Sequence, residues 1–477
     1  MYKPSELLPK RWRIKSFDFV KDDEGFESEI DTDALFSCLF SIRSTDNSTR
    51  LEGIESLSVL LDQYREIPDE YINFDLIDVL LEEASKPHSI YPWICISFLT
   101  NGSDVTINMF LEHSLLKTIV LYLNNTIQIH YMKHVLRTLH NIASNASIFR
   151  LLLSPLNGMI YEVSPVEGVM NVFQNHLSCV KELPDLMDGG FQNDEDLEDI
   201  RCLILEFFLA LITQCSKKEC QPSFLPEIVS IVFQSLVFRS KRVIELVLSG
   251  CEKLFEEYPE WMISEYKQNA SEAAFITFLK SENGFIRTSI AHCLEFVIMI
   301  DQKEGKSLFE HGLFEALECL PFENENEIYA VCSIIIHYCE SYPYLSQLIS
   351  HKSVLIRLLS FYDDSSFNIK ADLLQVFSAI ISSDKSTIEL IIEEFDGVLP
   401  KMLSLLENVS PERQNIYLDV LRTIADTYSY NMKLDQIKNI IESENAEYII
   451  DSLCCSQSIE VSVNASLLKS IFFSEHC

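Results

Sequence analysis

One feature constrains the fold of this chain more than any other. An apolar-stepped helical segment returns along it at nearly constant spacing. It reads RLEGIESLSVLLD from Arg50, IYPWICISFLTN from Ile90, MKHVLRTLHNIAS from Met132, RCLILEFFLALITQ from Arg201 and VIELVLSGCEKLF from Val243. Five more segments follow, around Ile286, Ile328, Ile369, Arg413 and Ile459. Successive starts lie 40, 42, 69, 42, 43, 42, 41, 44 and 46 residues apart. A fixed period of this length marks a chain that grows by stacking similar units, so length alone says nothing about domain number. The single long interval is one period plus about 27 residues, and it holds the pair Gly189 and Gly190 and the acidic run Asp194, Glu195, Asp196, Glu198 and Asp199.

Within each unit the apolar residues recur at i, i+3 and i+7, as in Leu136, Leu139, Ala143; Ile290, Cys293, Val297; and Leu373, Val376, Ile380. Such a stripe needs a core to face. A shorter helix precedes each long one (LLKTIVLYLNN, LPEIVSIVFQSLV, VLPKMLSLLE), and a small leading segment such as SDVTINMFLEH or DKSTIELIIEEF precedes that. Three helices at a period near 42 distinguish an armadillo unit from a two-helix HEAT unit. The expected fold is all-α, a right-handed armadillo/HEAT-type α-solenoid of about ten three-helix units. It runs over residues 31–473 with an acidic insertion at about 182–199, behind a charged, disordered tail at 1–30. Only 12 Gly and 15 Pro in 477 residues leave little turn material for sheet.

The balance of 37 Lys and Arg against 72 Asp and Glu gives a net charge of −35. Nucleic acid is an unsuitable partner for such a chain, because binding phosphate needs clustered cations. Protein partners, basic ones in particular, fit better. No stretch is apolar and long enough to span a membrane: the uncharged run from His88 to Ser103 is short and contains Pro, Asn and Ser. The start MYKPSELLPKRWRIK lacks the apolar segment of a secretory signal. Cys202, Cys251, Cys293, Cys332 and Cys339 sit inside apolar helices, as small core residues of a reducing compartment. A cytoplasmic or nuclear location follows.

No catalytic, cofactor or metal site is expected. His130 and His134 are four apart but lack the Glu of a zinc-protease motif, and Cys215 and Cys220 have no second ligand pair at zinc-ribbon spacing. No phosphate-cradling glycine loop occurs. Purified protein should therefore carry no stoichiometric zinc and hydrolyse no nucleotide.

At residues 128–153, QIHYMKHVLRTLHNIASNASIFRLLL resembles the second armadillo unit of importin alpha, and YPWICISFLTNGSDVTINMFLEHSLLKTIVLYL resembles the unit before it, with Trp93 in the tryptophan position. In that family a ladder of Trp and Asn, four residues apart on successive third helices, lines the groove. Asn clamps the backbone of a nuclear localisation signal, and Trp packs on the stems of its Lys and Arg residues. Here Trp93 is followed by Ser97 and Asn141 is preceded by Arg137. Later units carry Glu206 and Ala210, Leu248 and Glu252, Ala291 and Glu295, Ser333 and His337, and Leu374 and Ser378 at the two places. The resemblance implies that Trp93, Arg137, Asn141, Glu252 and Glu295 project into the groove, and that a simple Lys-rich peptide binds weakly. The cluster Lys3, Lys10, Arg11, Arg13 and Lys15 resembles a shortened form of the importin-beta-binding segment.

Three functions follow as expectations. The first is a non-enzymatic adaptor that binds an extended, basic polypeptide along an acidic groove. The second is a diverged importin alpha working with importin beta through its tail. The third is a structural or regulatory subunit of a larger complex.

Overall fold

The computed structural model describes residues 31–64, 67–86, 89–124, 129–156, 163–174, 194–217, 223–237, 240–269, 272–341, 352–395, 397–430, 434–443 and 446–473. The tail at 1–30 and the insertion over 182–193 lie outside the described residues. Among the described residues every regular element is helical, and the chain divides into two compact units, Met1–Glu257 and Tyr258–Cys477.

The first unit opens at Asp31, whose carboxylate accepts from the Ala34 amide at 3.0 Å and so caps the helix Thr32–Ile42. That helix packs on Asn47–Tyr64, the first of five spine helices that stack each on the next: Asn47–Tyr64, Tyr91–Leu99, Ile129–Ser144, Asp194–Lys217 and Lys241–Glu257. In the second unit the same succession runs through Gly284–Ile300, Glu325–Ser341, Phe367–Ser383, Pro411–Tyr430 and Ile459–Phe472. These ten spine helices are the ten recurring segments of the sequence. Each unit is an all-α helical-repeat solenoid, because no spine helix could bury its apolar stripe without the next.

The stripes behave as periodicity requires. Leu136, Leu139, Ile290, Cys293, Leu373 and Val376 are all fully buried. Shorter helices such as Phe74–Ala84, Leu115–Asn124, Leu313–Glu318 and Val398–Leu405 form the second layer, and Asp104–Glu112 and Gln302–Glu310 are small leading helices. The turn from a leading to a second helix needs a left-handed residue. Ser114, Gly312 and Gly397 fill that one place in three different repeats, with φ of 73°, 91° and 91°.

The acidic run, counted in the sequence with the insertion at about 182–199, belongs to a spine helix. Asp194–Asp199 forms the first turns of the 24-residue helix Asp194–Lys217. Carboxylates at a helix N-terminus are favoured by the exposed amides and the helix dipole there, so an acidic run suits the start of this helix.

Candidate functional site

The chemistry available to a repeat array lies on the stripe that its spine helices leave exposed. In the first unit that stripe passes Tyr91, Ile94 and Phe98, then Arg137, Asn141 and Ser144. Trp93 is one residue, or about 100° of helix rotation, away from Ile94. It is 1% exposed, and its ring stands 5.8 Å from that of Tyr122 in the second layer. The expectation that it projects into the groove is corrected: a Trp packed into the core cannot receive a cationic stem.

Asn141 is half-buried. Its side-chain amide donates to the Ser97 carbonyl at 3.0 Å and to Thr100 Oγ1 at 3.2 Å, so its donors hold two spine helices together. His134, two turns earlier, meets Ser97 Oγ at 3.3 Å. Burial, with Arg137 and Lys133 adding to it, pushes that imidazole down to about 4, and it is neutral at physiological pH. Arg137 itself is exposed.

The next rung joins three spine helices. Asp199 receives Lys133 Nζ at 2.8 Å from one side and Arg242 at 2.6 Å from the other. Burial alone would raise its carboxyl, but these two cations hold it below the ordinary range. Burial raises Glu206, against the pull of Arg242 and Arg137, and its Oε2 is buried without a hydrogen-bond partner. Glu252 is half-buried on Lys241–Glu257. The face here mixes Lys133, Arg137 and Arg242 with Asp199 and Glu206, where an acidic groove was expected.

In the second unit Glu295 is 6% exposed and does not project outward, which corrects a second expected groove residue. Ser333 donates to its Oε1, His337 Nε2 lies 3.4 Å from the same oxygen, and His292 Nδ1 lies 3.4 Å from Oε2. Burial by itself would raise this carboxyl. The two histidines and the serine outweigh it and bring Glu295 down to about 2. Burial would likewise lower His337, but Glu295 and Glu340 carry it up to about 9. The pair is therefore ionised across the neutral range and pins Gly284–Ile300 to Glu325–Ser341. Neighbouring repeats are joined the same way elsewhere: buried Arg287 pairs with buried Glu327, and Arg413 with Asp372.

What remains open is a trough of about 400 Å³ across three spine helices of this unit. Ile336 and Glu340 stand on one side, Gln375, Ala379 and Ser382 along the middle, and Ile416 on the other. Small side chains on the central helix make the depression, and Glu340 at its edge is exposed. None of the expected site residues lines it.

No family model matches the chain, and no curated relative does. Among solved structures it is similar to an engineered protein, with 14% identity, 92% of this chain and 99% of that one covered, and a TM-score of 0.63. It also aligns with a designed armadillo repeat protein at 17% identity over 51% of this chain and 99% of that one, with a TM-score of 0.43. The first likeness supports the stacked-helix fold and nothing finer.

Proposed function

We propose that the chain is a non-enzymatic protein-binding solenoid whose second unit receives an extended polypeptide across Glu325–Ser341, Phe367–Ser383 and Pro411–Tyr430. The observation that carries this reading is the trough over Ala379 and Ser382. Side chains of this size leave space for a main chain, Gln375 has both a donor and an acceptor to offer it, and Ile336 and Ile416 offer apolar walls. Exposed Glu340 and the net charge of −35 favour Lys or Arg in the bound segment. The compartment that fits this reading is the cytoplasm or the nucleus.

The test is fluorescence anisotropy with a labelled, extended Lys/Arg-rich peptide. Weak binding that falls with salt is expected, because exposed charge pairs are screened. Ala379→Trp fills the trough and should abolish it. Binding that is indifferent to Ala379→Trp rejects the site.

A narrower reading, an import adaptor of the importin alpha kind, has its support in residues 128–153 and in the basic cluster from Lys3 to Lys15. Binding of residues 1–33 to importin beta tests it, and no binding removes this reading while leaving the wider one. One large partner co-purifying at fixed stoichiometry would instead favour a subunit built into a complex.

A further inference from the structure

The floor of the trough has its hydroxyl donors already committed. Ser378 Oγ donates to the Leu374 carbonyl at 3.0 Å and Ser383 Oγ to the Ile380 carbonyl at 3.0 Å, both within Phe367–Ser383. Cys339 on Glu325–Ser341 is buried, and burial pushes its thiol up to about 12, so it is neutral and acts as a small apolar side chain. With Ala379 beside it and Ile336 and Ile416 on the two sides, the depression offers a ligand mainly apolar surface. Gln375 and Ser382 remain to meet a main chain.

Glu340, the acidic group on the rim, already has a cation beside it. His337 Nδ1 lies 3.4 Å from its Oε2, and against the effect of burial Glu295 and Glu340 carry that imidazole up to about 9, so it is charged at neutral pH. An incoming Lys or Arg therefore meets a carboxylate whose charge is partly offset, at an exposed rim where an ion pair is worth little. The apolar walls offer more. An apolar cavity of about 150 Å³ takes a benzene ring, so a trough of about 400 Å³ has room for a large apolar side chain beside the main chain.

We infer that the segment bound in the trough carries one large apolar residue, of the Leu or Phe class, seated between Ile336 and Ile416, and that this anchor sets more of the affinity than any single flanking Lys or Arg. Burying one such side chain is worth roughly 10- to 100-fold in affinity. One exposed ion pair is worth at most about 5-fold. The inference rests on the trough as the binding site and names the chemistry of its ligand.

Two labelled peptides test it by fluorescence anisotropy on the full chain: an extended Lys/Arg-rich sequence with one central Leu, and the same sequence with Ser in that place. The Leu peptide should bind roughly 10- to 100-fold more tightly, and the ratio should hold as salt rises, because only the cationic share is screened. Glu340→Gln should weaken both peptides by less than about 5-fold and leave the ratio unchanged. Ile416→Ser should pull the ratio toward one, and the fold tolerates this change because Ile416 is 37% exposed. Equal binding of the two peptides, with both lost in Ala379→Trp, overturns the inference and leaves the trough as the site. A ratio that collapses in high salt, or that Ile416→Ser does not change, also overturns it. Leu-peptide binding that survives Ala379→Trp removes the trough and the inference together, as does a failure of both peptides to bind.

Discussion

Replacing Glu295 by Gln keeps the shape of a buried side chain and removes the charge that His337 and His292 surround. The carboxyl lies at about 2 in the folded protein against an ordinary 4.5, a depression of about 2.5 pH units, and each unit corresponds to about 1.4 kcal/mol. His292, His337 and Ser333 together thus contribute about 3.5 kcal/mol. The rise of His337 from 6.5 to about 9, which Glu340 shares with Glu295, overlaps with this contribution and is not added. The sign of the pH dependence differs for the two groups. Glu295 is depressed, so its share is complete above about 4.5 and is lost as pH falls through about 2. His337 is raised, so its share is complete below about 6.5 and is lost as pH rises through about 9. The full contribution is therefore present between about pH 4.5 and 6.5. For a unit of this size about 3.5 kcal/mol corresponds to roughly 7–14 °C in melting temperature. Circular dichroism melts of wild type and Glu295→Gln should differ by that amount near pH 6, and the gap should shrink by about pH 10 as His337 loses its proton. Equal melting near pH 6, or a gap that does not change with pH, would refute the reasoning.

Three further variants probe the packing. Leu373→Ala should cost on the order of 2–5 kcal/mol and loosen the repeats on both sides, which hydrogen exchange of the second unit would show. Arg287→Met leaves the Glu327 carboxylate buried without its cation and should cost about 3–5 kcal/mol in denaturant titration. Trp93→Ala should cost roughly 3–5 kcal/mol of stability and leave peptide affinity unchanged, so lost affinity in a folded variant would restore Trp93 to the groove.

The stacking of the spine was legible in the sequence because a period near 42 and a 3.6-residue stripe report what must be buried. The side chains facing the groove were less legible, since a one-residue error in helix register turns a side chain through about 100°. Trp93 shows the cost: it occupies the tryptophan place of the resembled motif and yet lies in the core. Glu295 shows another. A charged residue on a third helix reads as exposed unless its partner is sought one period away, where His337 stands. Arg287 with Glu327 and Asp372 with Arg413 have the same spacing, about one repeat, so a search for opposite charges at that offset would have found all three. In the sequence Asp194–Asp199 reads as part of the acidic insertion, because a run of like charges suggests a solvated segment, although acidic residues also mark helix N-termini. The trough had no signal of its own, because Gln375, Ala379 and Ser382 are ordinary helix residues whose smallness matters only against Ile336 and Ile416 on neighbouring helices.

The most direct test of a protein-binding spine face is site-directed photo-cross-linking in cells. One photoreactive residue is placed at Ala379 in the trough and another at exposed Ile356, on the helix Lys352–Ser360. The prediction is that the Ala379 probe captures one extended segment of a partner protein, that the Ile356 probe does not, and that Ala379→Trp prevents co-purification of the same partner. Capture of the partner at Ile356 but not at Ala379 would contradict the account.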